Sequence, residues 1–214
     1  MRKRIIALRT FTTVDLAESE SLTADFSVVG TGGYWKYGDL FLLEKWKKRG
    51  SDPVEVVQEY VRQMRKFCTY AGFIEKNRFE SLMRTTRKLI PSGIFGDPDE
   101  VNKVINRTRM IGHYGKEKIE RFRQNIVPVT RAKKLWIRST DSDLRDLFIH
   151  YPAVEHDDLL DMLDMMIEHG SIPTKEFVDH VPESGRVWSS REPVQDVNEY
   201  FAKKKLNIYT GVAH

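Results

Sequence analysis

The sequence contains a single cysteine and no long apolar run. Cys68 alone excludes an internal disulfide bond and a cysteine metal cage, and it favours a reducing compartment. No apolar stretch approaches the ~18 residues that a membrane-spanning helix requires. The N-terminal sequence MRKRIIALRTF lacks the apolar region of about 7–15 residues and the small-residue cleavage site of a secretory signal peptide. We therefore expect neither a signal peptide nor a transmembrane segment.

Two motifs of enzyme chemistry are also missing. The sequence has no G-x-x-x-x-G-K-[ST] stretch, and GTGGYWKYGD and GHYGKEK do not join a strand to a helix in the way a phosphate-binding loop requires. No Ser–His or Cys–His arrangement indicates a side-chain nucleophile. These absences argue against a P-loop ATPase and against covalent catalysis.

Charge is divided unevenly along the chain. The 214 residues carry a net charge of +4 and are 40% apolar, which suits one full hydrophobic core. Residues 1–150 hold 29 Lys and Arg against 19 Asp and Glu, whereas residues 151–214 hold 6 against 12. Residues 76–138 alone hold 16 basic residues against 6 acidic ones. A broad basic surface beside a group of acids suits a polyanion bound outside and divalent cations held by carboxylates within.

The hydrophobic pattern of the first 90 residues predicts an α/β fold. Three strands with short connections indicate an antiparallel meander, in which the second strand closes in a glycine turn at Gly32–Gly33. An amphipathic helix, a buried strand that ends at Glu75 and a second amphipathic helix follow. We predict these six elements at residues 7–19, 24–35, 39–49, 51–67, 70–76 and 78–90. Their order predicts a mixed central β-sheet with helices on both faces.

The pattern from residue 94 to residue 151 is less regular. Residues 94–115 indicate a short helix and a short strand near 108–112, and we assign them no function. Residues 116–124 predict a basic helix, and residues 125–139 predict a hairpin of two extended pieces around a basic turn. A short capped helix is predicted at 141–151.

The composition also predicts where the main domain ends. Residues 1–170 contain the periodic segments described above, so we place one domain there. Residues 171–214 contain three prolines and one late helical segment, VQDVNEYFAKKK. We therefore interpret them as a C-terminal tail.

The sequence VEHDDLLDMLDMM, at residues 154–166, predicts an amphipathic helix that holds five carboxylates. At ~100° per residue, one stripe of this helix contains Asp157, Asp161, Asp164 and Glu168. We expect the last three of these acids to form a solvated face. Asp158 falls at the border between the polar and apolar sides, so its side chain is expected to point into the seam between helix and sheet. Asp157 could reach the same seam from the other side.

Two acids in predicted strands are also unusual. Asp15 lies within the Thr-rich apolar strand FTTVDLA, and Glu75 ends the buried strand YAGFIE. We expect strand 1 to be central with strand 4 alongside it, so that Asp15 and Glu75 lie close together and Asp158 closes over them. Three converging carboxylates repel one another unless cations neutralise them. Ligands that offer only oxygen favour Mg²⁺ or Mn²⁺.

The order of several sequence blocks resembles a known enzyme family. The blocks are TVDLAESESLTADFSVVGTGGYWKYGDLFLLEKWKKRGSDPVEVVQEYVRQ, FIEKN, GKEKIERF and HYPAVEHDDLLDML. Together they resemble the nuclease domain of bacteriophage and herpesvirus terminase large subunits, within the ribonuclease-H-like superfamily, over residues 10–169. The positions that match the acids of that family are Asp15, Asp25, Glu75, Asp157 and Asp158.

This resemblance implies hydrolysis of a phosphodiester bond with two divalent cations, Mg²⁺ or Mn²⁺. Asp15 would bridge the two ions, and Glu75 and Asp158 would each complete one coordination sphere. Asp157 and Asp25 would be auxiliary ligands. The substrate implied is concatemeric viral double-stranded DNA that is cut during genome packaging. The host cell cytoplasm is then the expected location.

Basic residues of the predicted helix and hairpin turn are candidates for binding DNA through its phosphates. They are Lys116, Lys118, Arg121, Arg123, Arg131, Lys133 and Lys134. His156 is expected to cap or orient the acidic helix rather than to bind metal. The partners that the resemblance implies are the terminase ATPase motor domain, the portal protein and the small terminase subunit.

Two alternatives remain open from the sequence. The chain could be another ribonuclease-H-like nuclease, such as a resolvase or transposase core. It could also be a DNA-docking or portal-docking module in which the acids are structural.

Overall fold

The computed structural model of the chain describes residues 8–17, 25–112, 117–151, 157–174 and 206–208. The strands are β1 (Arg9–Asp15), β2 (Phe26–Tyr34), β3 (Leu40–Arg49), β4 (Ala71–Glu75), β5 (Thr108–Ile111), β6 (Leu135–Arg138) and β7 (Leu206–Ile208). The α-helices are α1 (Pro53–Lys66), α2 (Lys76–Leu89), α3 (Pro98–Asn106), α4 (Lys118–Arg121), α5 (Val127–Arg131), α6 (Ser142–His150) and α7 (Asp158–His169). A 3-10 turn (Ile90–Ser92) follows α2, and a π-helical segment (Phe122–Ile126) joins α4 to α5. None of the described helices is long and apolar enough to cross a membrane.

The described strands form one mixed sheet of seven strands in the order β5-β4-β1-β2-β3-β6-β7. The meander β1-β2-β3 is antiparallel, whereas β4 runs parallel to β1 and β5 runs parallel to β4. The predicted meander is therefore confirmed, and so is the placement of strand 4 beside strand 1. Strand β6 runs parallel to β3, and β7 adds to it in antiparallel register.

Helices cover both faces of this sheet, as the sequence predicts. Successive residues of a strand point to opposite faces, and in β1 the two faces meet different helices. Val14 belongs to the core formed with α1, α2 and α3. Phe11 belongs to the core formed with the π-helical segment, α6 and α7. The molecule is thus an α/β protein with a mixed sheet between two helical layers.

The first helix begins where the sequence predicts. The side chain of Asp52 accepts hydrogen bonds from the backbone N–H groups of Val54 and Glu55, at 2.6 and 2.9 Å, and Pro53 occupies the first turn. Its apolar stripe, which includes the fully buried Tyr60, packs on the sheet. The Tyr60 ring approaches β4 so closely that a Cβ on Gly72 would lie 1.7 Å from the hydroxyl oxygen. A glycine in β4 therefore lets α1 lie close to the two central parallel strands.

The glycine turn predicted at Gly32–Gly33 is wrong. Both residues lie inside β2, and the chain turns at residues 35–39, where Gly38 has a φ of +86°. Gly30 and Gly32 of β2 instead allow α7 to approach the sheet. A Cβ on Gly30 would lie 2.0 Å from the sulfur of Met162. The glycine-rich sequence is thus required by packing on the face of the strand.

The hairpin predicted at 125–139 is also wrong. Residues 122–131 continue α4 as a π-helical segment and α5, and only residues 135–138 form a strand. Ile126 is 1% exposed and packs in the core under this helix, so burial outweighs the low helix propensity of its branched side chain. Pro128 lacks a backbone donor, and it lies directly after the widened π-helical turn.

The short elements predicted around the hairpin region are present where the structure describes them. Helix α3 and strand β5 occupy the region in which a short helix and a short strand are predicted, and α6 follows β6. The expected late helix at residues 194–205 lies outside the described residues. Residues 206–208 pair with β6, so part of the predicted tail extends the sheet.

Candidate metal centre

The carboxyl ends of the two central parallel strands place two acids side by side. The register pairs Val14 with Ile74, so Asp15 and Glu75 occupy the next positions of β1 and β4. Phe11 and Phe73 lie on the face that α7 covers, and their rings stack with centroids 5.6 Å apart. Since side chains alternate along a strand, Asp15 and Glu75 project toward this same face. Neighbouring strands are about 4.8 Å apart, which places the two carboxylates within mutual influence.

Helix α7 brings further acids over this pair. The hydroxyl group of Thr13 donates a hydrogen bond of 3.2 Å to the Met162 carbonyl oxygen, which ties α7 to β1 just before Asp15. Asp158 is the first residue of α7 and lies half-buried in the seam with the sheet. Its carboxylate accepts a hydrogen bond from the Phe26 backbone N–H, while its Oδ2 atom is buried without a hydrogen-bond partner in the described structure. An unsatisfied carboxylate oxygen therefore faces the seam.

Burial and neighbouring acids raise the pKa values of Asp15 and Asp158. The pKa of Asp15 lies well above its usual value, chiefly because the carboxyl is buried and then because Asp161, Glu75 and Asp158 are near it. Burial, with the nearby charge of Asp25, likewise raises the pKa of Asp158. The acidic centre, by which we mean Asp15, Glu75, Asp157, Asp158 and Asp161, thus holds negative charge in a poorly solvated place. Such a site favours a bound proton or a cation.

Lys118 supplies a cation to the acidic centre. Its ammonium group forms ion pairs with Asp157 and, at 2.5 Å, with the Oδ2 atom of Asp161. Burial by itself would lower the pKa of Lys118, but these two carboxylates raise it above its usual value. The sequence places Lys118 among the DNA-binding residues. In the structure its charge is directed toward the acids of α7.

Arg121 is also directed inward, and it forms a buried network with α7. Its guanidinium group donates to the Oδ2 atom of Asp164 at 2.8 Å and lies 3.3 Å from Asp161. The amide group of Asn125 donates to the other oxygen of Asp164 at 2.7 Å. Arg121 is 8% exposed, so the expectation that it lies on a DNA-facing surface is wrong.

The prediction that Asp161, Asp164 and Glu168 form a solvated face of α7 is therefore wrong for the first two residues. Asp164 is 3% exposed, and the Asp161 side chain is 16% exposed, because α4 and the π-helical segment cover this side of the helix. Glu168 is exposed, as expected. The sequence does contain a signal for the contact between α4 and α7. Lys118 and Arg121 are three residues apart, and so are Asp161 and Asp164, so each pair lies on one side of its helix and the two pairs can face each other.

A small cleft opens beside the Lys118 ion pairs. It is lined by Lys118, Phe122, Ile126, Tyr151, Asp157, Leu160, Asp161 and Asp164. The rings of Phe122 and Tyr151 stack there with centroids 4.0 Å apart. Burial, and then the charge of Asp157, raises the pKa of Tyr151. The cleft gives the Lys118–Asp161 pair one apolar wall.

The other residues that the sequence selects have mixed placements. Asp25 is exposed directly before β2, and its charge acts on Asp158. Arg123, Arg131 and Lys133 are exposed on or just after the helical segment. Lys134 donates a hydrogen bond to the Tyr37 carbonyl oxygen. Lys116 and His156 lie outside the described residues.

The chemistry of the acidic centre fits a hard divalent cation. Carboxylate oxygens are the ligands that Mg²⁺ and Mn²⁺ prefer, and the buried Oδ2 atom of Asp158 lacks a partner in the described structure. The described side chains do not form a ready-made set, because no three acidic, histidine or cysteine residues among them are arranged to hold one metal ion. The ion pairs of Lys118 occupy two of the acids. Side chains would therefore have to rearrange when a cation binds.

Comparison with known proteins gives no family assignment. No protein-family model matches the chain, and no curated protein shows significant similarity to it.

Proposed function

We propose that this chain is a metal-dependent endodeoxyribonuclease with a ribonuclease-H-like fold. The observation that carries the proposal is the position of Asp15 at the end of a central strand, where burial chiefly, and then the nearby acids Asp161, Glu75 and Asp158, raise its pKa. A fold rarely places three acids together in a poorly solvated site without a cation-dependent role. The mixed sheet, with β4 parallel to β1 and an acidic helix across their ends, is the arrangement that the family resemblance implies.

The proposed division of roles follows from the position of each acid. Strand β1, which ends in Asp15, lies between β4, which ends in Glu75, and β2, whose first residue contacts Asp158. Asp15 would therefore bridge two ions, while the other two acids would each complete one coordination sphere. Asp157 and Asp25 would be auxiliary ligands. Two bound divalent cations would supply an activated water and neutralise charge on the leaving 3′ oxygen. The half-buried seam would hold Asp158 in place against the start of β2.

The exposed cations near the site would hold the DNA. Arg123, Arg131 and Lys133 are exposed in the segment that follows α4, and phosphate contacts from such residues are independent of sequence. Lys118 and Arg121 have a different role, which is to neutralise and orient the acids of α7. The biological substrate proposed is concatemeric viral double-stranded DNA, cut during packaging. The motor domain, portal protein and small terminase subunit are the partners proposed with it.

The test is cleavage of supercoiled plasmid DNA with Mg²⁺ or Mn²⁺. The unmodified protein should cut the plasmid with at least one of these metals, EDTA should stop the reaction, and Asp15→Asn should lower the rate by at least about 100-fold. Asp146→Asn is a matched control, because Asp146 is an exposed acid of α6 that does not belong to the acidic centre. Cleavage that is unchanged in Asp15→Asn would refute the two-metal assignment.

The same assay separates the alternatives. A requirement for branched DNA would favour a resolvase-like nuclease over a packaging nuclease. Binding of duplex DNA without cleavage by either metal would favour the non-catalytic docking module.

A further inference from the structure

Helix α2 presents an exposed basic face that the candidate site does not use. Glu80 is the only acid in the sequence of this helix, KNRFESLMRTTRKL. Its other side is buried against the sheet and α1 through Leu82, Met83 and Thr86. The exposed cations on the outer side are Lys76, Arg84, Arg87 and Lys88.

These cations differ from those of the neighbouring helix α1. There the exposed Arg62 pairs with Glu59 and Glu44, and Lys66 pairs with Glu44 at 2.6 Å. Within the described ranges, Arg84, Arg87 and Lys88 of α2 form no ion pair. Glu80, the single acid of α2, lies on the same side of the helix four residues before Arg84 but forms no ion pair with these three cations within the described ranges, so a net positive charge is left for an external anion.

The helix geometry arranges the α2 charges as a track that starts at the acidic centre. Helix α2 begins directly after Glu75. At about 1.5 Å of rise per residue, Arg84 lies ~14 Å and Lys88 ~20 Å along the helix from Glu75. At about 100° per residue, Arg84, Arg87 and Lys88 fall within an arc of ~100° on one side.

This spacing suits the backbone of duplex DNA. One strand carries a phosphate about every 3.4 Å along the duplex axis, so the cations reach phosphates about four to six base pairs from the acidic centre. A protein surface or a single small anion does not require charge over this length. The stripe matches a long and regularly charged polyanion.

We propose that the α2 face, Arg84, Arg87 and Lys88 with Lys76 at its start, is a second binding track for the phosphate backbone of duplex DNA. It holds the DNA that flanks the cut on the β4–β5 side of the sheet, opposite the helical layer of α7. The position of the cut rests on the proposed nuclease function. The binding itself depends only on exposed positive charge and does not need catalysis.

The test compares two triple variants in duplex binding. The first is Arg84→Gln, Arg87→Gln and Lys88→Gln. The second, a matched control, is Lys48→Gln, Lys66→Gln and Lys103→Gln, which removes the same charge from exposed lysines that already pair with acids. Lys76 is left unchanged because it adjoins Glu75. Circular dichroism and thermal melting establish that both variants fold.

Fluorescence anisotropy with a labelled duplex of about 30 base pairs, in EDTA and over about 50–200 mM salt, gives the affinity and its salt dependence. The α2 variant should bind at least about tenfold more weakly, and the slope of log K against log salt should fall by about 2.7, since each phosphate contact contributes about 0.9. The control should bind within about twofold of the unmodified protein, because its cations are already neutralised. Equal losses in both variants, or no loss in the α2 variant, would overturn the proposal.

The DNA-binding test of the α2 face can fail or succeed independently of the DNA-cleavage test of the proposed nuclease function. If the unmodified protein cuts no DNA but the α2 variant alone loses affinity, the nuclease assignment fails and the binding track stands. If the protein cuts DNA and the α2 variant binds normally, the binding track fails alone. If the unmodified protein does not bind duplex DNA at all, both fail.

Discussion

The ammonium group of Lys118 lies 2.5 Å from the carboxylate of Asp161, on the helix that closes the acidic centre. The same ammonium group contacts Asp157, and its charge opposes the rise in the pKa of Asp15. A lysine from α4 therefore serves as the counter-ion of acids from β1 and α7. A cation that binds at these acids would have to compete with it.

This arrangement predicts how Lys118→Met behaves. Without metal, the variant leaves Asp157 and Asp161 less neutralised, and we expect the melting temperature to fall by about 2–6 °C, which corresponds to roughly 1–2 kcal/mol. Addition of Mn²⁺ should then raise the melting temperature more in the variant than in the unmodified protein, because the competing ammonium is gone. Scanning calorimetry with EDTA or Mn²⁺ measures both effects.

Lys103→Met is the control for this variant. Lys103 forms an exposed ion pair with Glu100 at 2.6 Å, far along the chain from the acidic centre. The melting temperature of Lys103→Met should differ from that of the unmodified protein by less than about 2 °C, since exposed ion pairs contribute little to stability. Equal responses to Mn²⁺ in Lys118→Met and in the unmodified protein would contradict the role of counter-ion.

The raised pKa of Asp15 predicts the pH dependence of stability without metal. Because the pKa in the folded protein is higher than the unfolded value of about 3.9, the folded state binds the proton more tightly. The stability from this proton is fully present below the unfolded pKa and is lost as pH rises through the folded pKa. Asp15→Asn should therefore melt at a higher temperature than the unmodified protein at pH 8, and the difference should shrink toward pH 4.

Thermal melts in EDTA across this pH range measure the difference for Asp15→Asn. The control Asp146→Asn should give a nearly constant difference, because Asp146 is exposed. If the difference in melting temperature between Asp15→Asn and the unmodified protein grew as the pH was lowered, the predicted pH dependence would be wrong.

The buried pair of Arg121 and Asp164 predicts a marked asymmetry between single and double variants. Arg121→Leu leaves the carboxylate of Asp164 buried with only Asn125 as a donor, which should cost about 3–5 kcal/mol in the free energy of unfolding. Arg121→Leu combined with Asp164→Leu removes both charges and should be less destabilised than that single variant. Urea unfolding of Arg121→Leu, Asp164→Leu and the double variant gives the three free energies of unfolding. A loss in the double variant that equals the sum of the two single losses would exclude this coupling.

The close approach of α7 to β2 predicts that Gly30 does not tolerate a side chain. A Cβ there would lie 2.0 Å from the Met162 sulfur, so Gly30→Ala should destabilise the protein by about 1–3 kcal/mol and displace the helix that carries Asp158. Gly112→Ala is the control, because nothing lies within 4 Å of its added Cβ. Equal melting temperatures for the two variants would show that α7 does not need this glycine.

The adjacency of Asp15 and Glu75 could be predicted from the sequence because it depends on local patterns. Strand periodicity and the helix between Pro53 and Lys66 indicate that β4 returns parallel to β1, and the acids end both strands. The inward position of Asp158 likewise follows from its angle on the helix. These patterns act over a few residues and are visible without the rest of the fold.

The course of residues 122–131 could not be predicted in the same way. Ile126, Val127 and Val129 favour strands by intrinsic preference, and Pro128 discourages a helix. Burial of Ile126 against the core that contains α7 overrides these preferences. The helical path in turn directs Lys118 and Arg121 toward the acids.

The sequence by itself therefore determined the α/β class, the central strands and the two acids at their ends, since each depends on the short-range periodicity of the chain. Only the tertiary structure decided which acids of α7 face water. A helical wheel orients Asp161 and Asp164 about their own axis, but it carries no information about which element covers that side. The segment that begins with Lys118 covers it, because burial of Ile126 and pairing of Arg121 with Asp164 outweigh local strand preference.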